Sequence, residues 1–189
     1  MEFGIDVAHP LDAAAIADIH VRGWTETFRG ALAGRLLSRM DEEGIAARWQ
    51  QIIETNEQLV LTAVDRQCRM LGFAASGKPS GTIDGFDAEL HKLYVLREFQ
   101  GRGVGRQLLL ASIARLRAMG FRSLASHVLA NAPARNFYEH FGARLIRVAP
   151  ITIDGDSYMD ALYGWPSLDI ALVAPESRAA DSRQTRTSR

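Results

Sequence analysis

A glycine-rich turn carries the clearest chemical signal in this sequence. Three alternating glycines, Gly101, Gly103 and Gly105, stand between an apolar strand-like run and a long helix predicted over residues 103–119. Glycine lets a backbone approach a ligand closely. The first N–H groups of a helix have no partner inside it, and they lie at the positive end of its dipole. The turn is therefore predicted to bind a phosphate or a pyrophosphate.

Common nucleotide-binding fingerprints do not account for this turn. A Walker loop would close on Gly-Lys-Ser/Thr, which is absent here. The dinucleotide fingerprint needs a third glycine at the position of Arg106 or Leu108, depending on which glycine begins it. Taken alone, the turn is also compatible with an ordinary glycine-rich loop between a strand and a helix.

Two motifs in order resemble those of the GNAT superfamily of N-acetyltransferases. The first is Gln100-x-x-Gly103-x-Gly105 after Tyr-Val, which is similar to the family's coenzyme A pyrophosphate loop. The second begins at Asn131 and continues into a helix that carries Phe-Tyr-Glu and closes on Phe-Gly. A segment from His20 to Gly30 resembles the first-helix region of some members, so that the resemblance extends from about residue 3 to about residue 163.

This resemblance implies a fold and a cosubstrate. The implied fold is α/β (α+β), a central mixed, mostly antiparallel sheet flanked by helices, whose central strands splay apart to admit pantetheine. The implied cosubstrate is acetyl-coenzyme A, without a metal. One backbone N–H beside the pantetheine would polarise the thioester carbonyl, and Asn131 would bond pantetheine or cap the next helix. The implied cofactor-binding residues are Leu93, Tyr94, Val95, Gln100, Gly101, Arg102, Gly103, Val104, Gly105, Arg106, Asn131 and Tyr138.

The resemblance also implies an acid and a base. Tyr138 matches the family's usual general acid, although aromatic packing is its alternative role. Glu89 matches the strand glutamate that serves as base in the histone-modifying branch. His91, two residues on, is a second candidate base, because histidine exchanges protons near neutral pH. Another branch places its base where this chain has Ser126, and a serine cannot do that work.

The implied acceptor is a primary amine, on a small molecule or on a protein or peptide. Its pocket is expected between the first helices and the last hairpin, with Trp24, Phe28, Glu89 and Tyr158 as candidate binding residues. A non-catalytic acyl-CoA-binding sensor is the alternative function, and a nucleotide enzyme is a third. A homodimer is compatible with the resemblance.

Hydrophobic periodicity and breaker residues predict the elements that position these side chains. Strands are predicted over residues 3–7, 59–64, 70–76, 86–96, 124–129, 145–153 and 157–162, and helices over 13–28, 33–40, 41–54, 103–119 and 132–141. Within 86–96, simple alternation places Leu93 and Val95 on one face and Leu90 and Tyr94 on the other. This order is typical of a layered α/β or α+β domain.

Bulk properties bound the remaining possibilities. The 189 residues carry 22 basic and 22 acidic side chains, so that net charge gives no indication of a nucleic-acid partner. The single cysteine, Cys68, excludes an intrachain disulfide and is predicted at a hairpin tip as a bystander. One domain is expected over residues 1–174, and the polar segment 175–189 is expected to be disordered. No signal peptide or membrane-spanning window is recognisable, which favours a cytoplasmic protein.

Overall fold

The computed structural model describes residues 1–28, 41–83, 85–153 and 155–169, without the side chains of Thr27 and Phe28. Three predictions therefore fall outside the described part of the chain. They are the helix over 33–40, the disorder of 175–189 and the contribution of the Phe28 side chain to an acceptor pocket.

Seven strands of the described residues form one sheet in the order β1-β2-β3-β4-β5-β7-β6. All neighbouring pairs are antiparallel except β4 and β5, which are parallel. The predicted mixed, mostly antiparallel sheet is thus confirmed. Its strands are β1 Phe3–Val7, β2 Leu59–Asp65, β3 Met70–Gly77, β4 Ala88–Val95, β5 Leu124–Leu129, β6 Arg144–Ile153 and β7 Asp156–Trp165.

Four α-helices flank this sheet within the described residues. They are α1 Ala13–Phe28, α2 Glu42–Glu54, α3 Val104–Ala118 and α4 Ala134–His140. Helices α1 and α2 pack together, with α1 against β3 and β4, whereas α3 packs against β2, β3 and β4. In the part of the chain that is described, no helix combines the length and the hydropathy needed to cross a bilayer.

Local sequence signals explain where several helices begin and end. Asp41 precedes α2 and accepts hydrogen bonds from the N–H groups of Glu43 and Gly44, as an N-cap does. Helix α3 ends at Ala118 and is followed, after its C-cap Met119, by Gly120, whose φ of +94° few other residues tolerate. The predicted cap of α4 by Asn131 is wrong, because the N-cap position is occupied by Pro133 and no side chain caps it.

A β-bulge in β4 corrects one prediction about side-chain faces. Leu90 pairs with Ser76 and Lys92 pairs with Ala75, which leaves His91 without a counterpart on β3. The extra residue reverses the alternation. Leu90 therefore shares a face with Leu93 and Val95, whose partners lie on the Ser76 face of β3, and not with Tyr94 as predicted. Simple alternation cannot reveal an inserted residue.

Strands β4 and β5 separate soon after they meet. Their register contains only the pairs Ala88↔Leu124 and Glu89↔Ala125, although β4 continues to Val95 and β5 to Leu129. We call the space between residues 91–95 and residues 126–129 the β4–β5 gap. This divergence is the splay that the family resemblance implies.

Candidate active site

The beginning of α3 presents unsatisfied backbone donors. Its N-cap is Gly103, with a φ of +84°, and no side chain caps the helix. The N–H groups of residues 104–106 therefore keep the orphan status that first-turn amides have in any helix. A Cβ built at Gly101 or Gly103 meets no heavy atom within 4 Å, so that their positive φ values, and not crowding within the protein, call for glycine there. This open, donor-rich turn fits a diphosphate.

Side chains around the turn hold it against the sheet. The Gln100 amide donates a hydrogen bond of 3.0 Å to the carbonyl oxygen of Val95, at the end of β4. The Arg102 guanidinium lies 5.9 Å from the centre of the Phe99 ring, and Arg69 lies 4.4 Å from it. The Gln100 side chain is thus hydrogen-bonded to the backbone of the same chain. Arg102 is exposed, and Arg106 lies half-buried on the first turn of α3.

The backbone of β4 lines one side of the gap. Leu96 donates its N–H to Leu71 on β3, and the direction of backbone groups alternates along a strand. Tyr94 therefore directs its N–H and carbonyl toward β3, and its carbonyl oxygen lies beside Gly72. The backbone N–H and carbonyl groups of Leu93 and Val95 are directed toward the gap instead. Pantetheine binding by the backbone of Leu93, Tyr94 and Val95 stays a prediction, and of these three residues Tyr94 is the one whose backbone groups are directed toward β3.

Tyr138 reaches the point where β4 and β5 part. The Ser126 hydroxyl on β5 donates to the carbonyl oxygen of Leu90 on β4 at 3.0 Å. The same hydroxyl lies 3.3 Å from the Tyr138 hydroxyl, which α4 supplies. Tyr138 is 6% exposed, and burial raises the pKa of its phenol, so that it keeps its proton. Asn131 lies exposed two residues after the end of β5.

Glu89 and His91 form a carboxylate–imidazole pair beside the same point. Glu89 Oε2 accepts a hydrogen bond of 3.0 Å from the Ser80 N–H and lies 3.3 Å from His91 Nδ1. Burial acts to raise the pKa of Glu89, but these hydrogen bonds and the charges of His91 and His127 lower it to about 2. His91 Nε2 is buried without a hydrogen-bond partner among the described residues. The pair therefore presents a fixed carboxylate and a free ring nitrogen.

A second histidine–carboxylate pair stands on the neighbouring strands. His127 Nδ1 on β5 lies 2.5 Å from Asp160 Oδ2 on β7. This hydrogen bond raises the pKa of His127. The positive charge of His127 in turn helps to keep Glu89 ionised. The sequence places His127 beside Ser126 but contains no local signal that joins it to Asp160, 33 residues away.

A cavity of about 630 Å³ opens on the α1–α2 side of the sheet. Residues of α1, α2, β4 and two connecting segments line it, among them His20, Trp24, Trp49, Gln58, Ser80, His91 and Lys92. The prediction placed Trp24 here, whereas Tyr158 packs with Trp24 in a small apolar cluster around Leu129. Sequence reasoning missed His20 and Lys92 as cavity residues. A lysine on the same short strand as Glu89 and His91 is the signal that could have singled out Lys92.

Comparisons with known proteins agree with this geometry. A sequence model of the acetyltransferase (GNAT) family matches residues 16–143. The uncharacterized N-acetyltransferase YuaI of Bacillus subtilis (strain 168) is 27% identical over 157 residues, which cover 83% of this chain and 89% of that protein.

Solved structures of similar fold include two with cofactor. The PaiA N-acetyltransferase of Thermoplasma acidophilum in complex with coenzyme A matches with a TM-score of 0.64 and 19% identity, over 85% of this chain and 98% of its own. The structure of yncA from Salmonella typhimurium with its cofactor acetyl-CoA matches with a TM-score of 0.65 and 21% identity, over 93% and 98%. At these identities the likeness establishes the fold.

Proposed function

This chain belongs to the GNAT family of acetyltransferases, and from that premise we propose that it moves an acetyl group from acetyl-CoA to a primary amine by direct attack in a ternary complex. One observation carries the proposal. The buried Tyr138 hydroxyl stands where β4 and β5 part, 3.3 Å from Ser126 Oγ, and the donor-rich turn before α3 follows directly from the end of β4.

The backbone binds the donor molecule in this proposal. The N–H groups of residues 104–106 hold the pyrophosphate, and the positive charges of Arg102 and Arg106 add to that attraction. Leu93 and Val95 offer backbone groups to the pantetheine in the β4–β5 gap. When bound, acetyl-CoA supplies a thioester for attack by the amine. A backbone N–H aimed at the thioester oxygen contributes about 2.7–4 kcal/mol, the cost usually measured when such a donor is removed.

His91 serves as the general base, and Glu89 positions it. A carboxylate with a pKa of about 2 is a poor acceptor for an ammonium proton. The donation from His91 Nδ1–H to Glu89 leaves the lone pair of Nε2 directed away from the carboxylate. That nitrogen is buried and unpartnered within the described residues, and its ring lines the cavity. An amine in the cavity would give its proton to this atom, directly or through water.

Tyr138 serves as the general acid. Its phenol stays protonated because burial raises its pKa, and its hydroxyl lies at the narrow end of the gap. From there it can donate its proton to the coenzyme A sulfur as the carbon–sulfur bond of the thioester breaks and the acetyl group passes to the amine. The acceptor class that this arrangement supports is an amine of a small molecule or of a protein or peptide, which reaches the gap from the cavity side.

Replacement of Tyr138 by Phe tests this assignment. We expect Tyr138→Phe to lower kcat by roughly 10²- to 10⁴-fold, the usual contribution of a positioned acid, with little change in coenzyme A affinity. The measurement is thiol release from acetyl-CoA with a panel of amines, together with calorimetry for coenzyme A.

Tyr163→Phe is the matched control. The Tyr163 hydroxyl is engaged elsewhere, since it donates to Glu139 at 2.6 Å and accepts from Arg135 at 3.0 Å. Tyr163→Phe should lower the free energy of unfolding while leaving kcat nearly unchanged. Coenzyme A binding without thiol release for any amine would contradict the proposed transfer and would support a sensor instead. An unchanged kcat in Tyr138→Phe would remove the acid from the mechanism.

A further inference from the structure

One cation in the acceptor cavity has no ion-pair partner. Lys92 lies on β4 and lines the cavity, and within the described residues its ammonium makes no hydrogen bond or salt bridge. Burial lowers the pKa of this ammonium, while the charge of Glu89 acts against that shift. A half-buried charge without a direct partner costs free energy that a bound anion would offset.

The other charged groups among the described lining residues are already engaged. The Asp41 carboxylate accepts the N–H groups of Glu43 and Gly44 at the beginning of α2. The Arg48 guanidinium donates to Glu57 at 2.7 Å and to Gln51 at 3.2 Å. Lys92 is therefore the cation of the described cavity wall whose donors remain free for a ligand.

His20 supplies a second donor beside Lys92. Its Nδ1 accepts a hydrogen bond of 3.2 Å from the Trp49 indole. Burial, together with the nearby charge of Lys92, lowers the pKa of His20 to about 4, so that the ring is neutral. The proton of a neutral ring whose Nδ1 accepts must be on Nε2. That N–H has no hydrogen-bond partner among the described side chains, and the ring lines the cavity.

Acceptor atoms complete the lining. Gln58 Oε1 and His91 Nε2 are both buried without hydrogen-bond partners in the described residues, and both side chains line the cavity. They suit the N–H groups of an amine. The indoles of Trp24 and Trp49 add apolar surface between α1 and α2. The cavity thus combines free donors for an anion with free acceptors for an amine.

We propose that the acceptor of this enzyme is a small molecule that carries a carboxylate as well as its primary amine, as an α-amino acid does, and that Lys92 and His20 bind the carboxylate. This inference rests on the proposed transfer to an amine and names its substrate class. A single formal positive charge, with Glu89 nearby, matches a monoanionic carboxylate better than a dianionic phosphate. The apolar part of the acceptor then lies against the two indoles.

The test separates anion binding from turnover. Calorimetry on the coenzyme A-saturated protein compares 3-phenylpropionate with 3-phenylpropanamide, two probes that differ in charge and lack an amine. We expect wild type to prefer the carboxylate. Lys92→Met keeps the apolar stem and removes the charge. It should lower the affinity for 3-phenylpropionate by roughly tenfold to a hundredfold and leave the affinity for 3-phenylpropanamide unchanged.

Thiol release with the L-amino acids and their carboxamides gives the second readout. We expect a higher kcat/KM for the free acids in wild type, and the loss of that preference in Lys92→Met. Arg48→Met is the matched control, because it removes from the same cavity wall a cation that is already paired with Glu57. This variant should keep the preference for the free acids. Thermal melting of both variants checks that they remain folded.

Each result decides between the two proposals. Equal affinity for the two probes in wild type, no binding of either probe, or no effect of Lys92→Met would overturn the carboxylate site. The transfer proposal would still stand if amines release thiol. Conversely, Lys92-dependent binding of 3-phenylpropionate without thiol release from any amine would support the site and overturn the transfer.

Discussion

Glu89 and His91 show how neighbouring side chains can divide one task. The carboxylate is held by a backbone N–H and an imidazole, and these contacts stabilise its charged form so well that its basicity is lost. The imidazole Nε2 has no hydrogen-bond partner among the described residues, and the ring lines the cavity. In the proposed mechanism, two residues that stand two positions apart on β4 thus provide a base and the group that orients it.

This division predicts an order of mutational effects. His91→Gln should lower kcat by roughly 10²- to 10⁴-fold, because it removes the proton acceptor. Glu89→Gln should cost less, because an amide oxygen can still accept from His91 Nδ1 and from the Ser80 N–H. The measurement is steady-state thiol release by both variants at saturating acetyl-CoA. A larger loss in Glu89→Gln than in His91→Gln would make Glu89 the base.

The types of these residues were predictable, whereas their roles were not. The motif around Tyr138 and the position of Glu89 gave a candidate acid and a candidate base from the sequence. The choice between Glu89 and His91 depends on the Ser80 N–H, which arrives from a loop nine residues away. The bulge at His91 brings Glu89 onto the same face of β4 as Lys92 and Tyr94, and no local pattern encodes that shift.

Helix α3 illustrates how the two ends of one element can serve different purposes. Both ends use a glycine with positive φ, Gly103 before the first turn and Gly120 after the last. At Gly120 the turn satisfies the helix's own carbonyl groups, through bonds from Gly120 to Arg117 and from Phe121 to Leu116. At Gly103 no side chain caps the helix, and the N–H groups of its first turn have no comparable hydrogen bonds. The glycine-rich pattern predicted the bounds of this helix, and the contrast between its ends emerged from the structure.

That contrast yields a matched pair of substitutions. Alanine at either glycine should destabilise the fold by about 1–2 kcal/mol, because φ is left-handed at both positions. A Cβ meets no protein atom within 4 Å in either case. Only Gly103→Ala should also lower the affinity for coenzyme A, by about tenfold or more, because the added Cβ stands next to the free amides that are proposed to bind the diphosphate. Denaturant unfolding and calorimetry measure the two effects, and equal affinity losses in both variants would contradict the phosphate site.

At the scale of the molecule, the described residues place the two parts of the proposed site on opposite faces of one sheet. Helix α3 and its turn lie on one face, and the cavity between α1, α2 and β4 lies on the other. The β4–β5 gap connects them, with Tyr138 and Ser126 at its narrow end. The order of elements and the mixed sheet were predictable from periodicity and from the family resemblance. The meeting of His20, Lys92 and Gln58 at one cavity was not, because these residues are distant in sequence and only the packed helices join them.

The most direct test of this account is a crystal structure of the protein grown with saturating coenzyme A. The account predicts the diphosphate against the N–H groups of residues 104–106 and the pantetheine beside Leu93 and Val95, with the sulfur near the Tyr138 hydroxyl. Coenzyme A bound elsewhere on the molecule, or no density for it at saturation, would contradict the central claim.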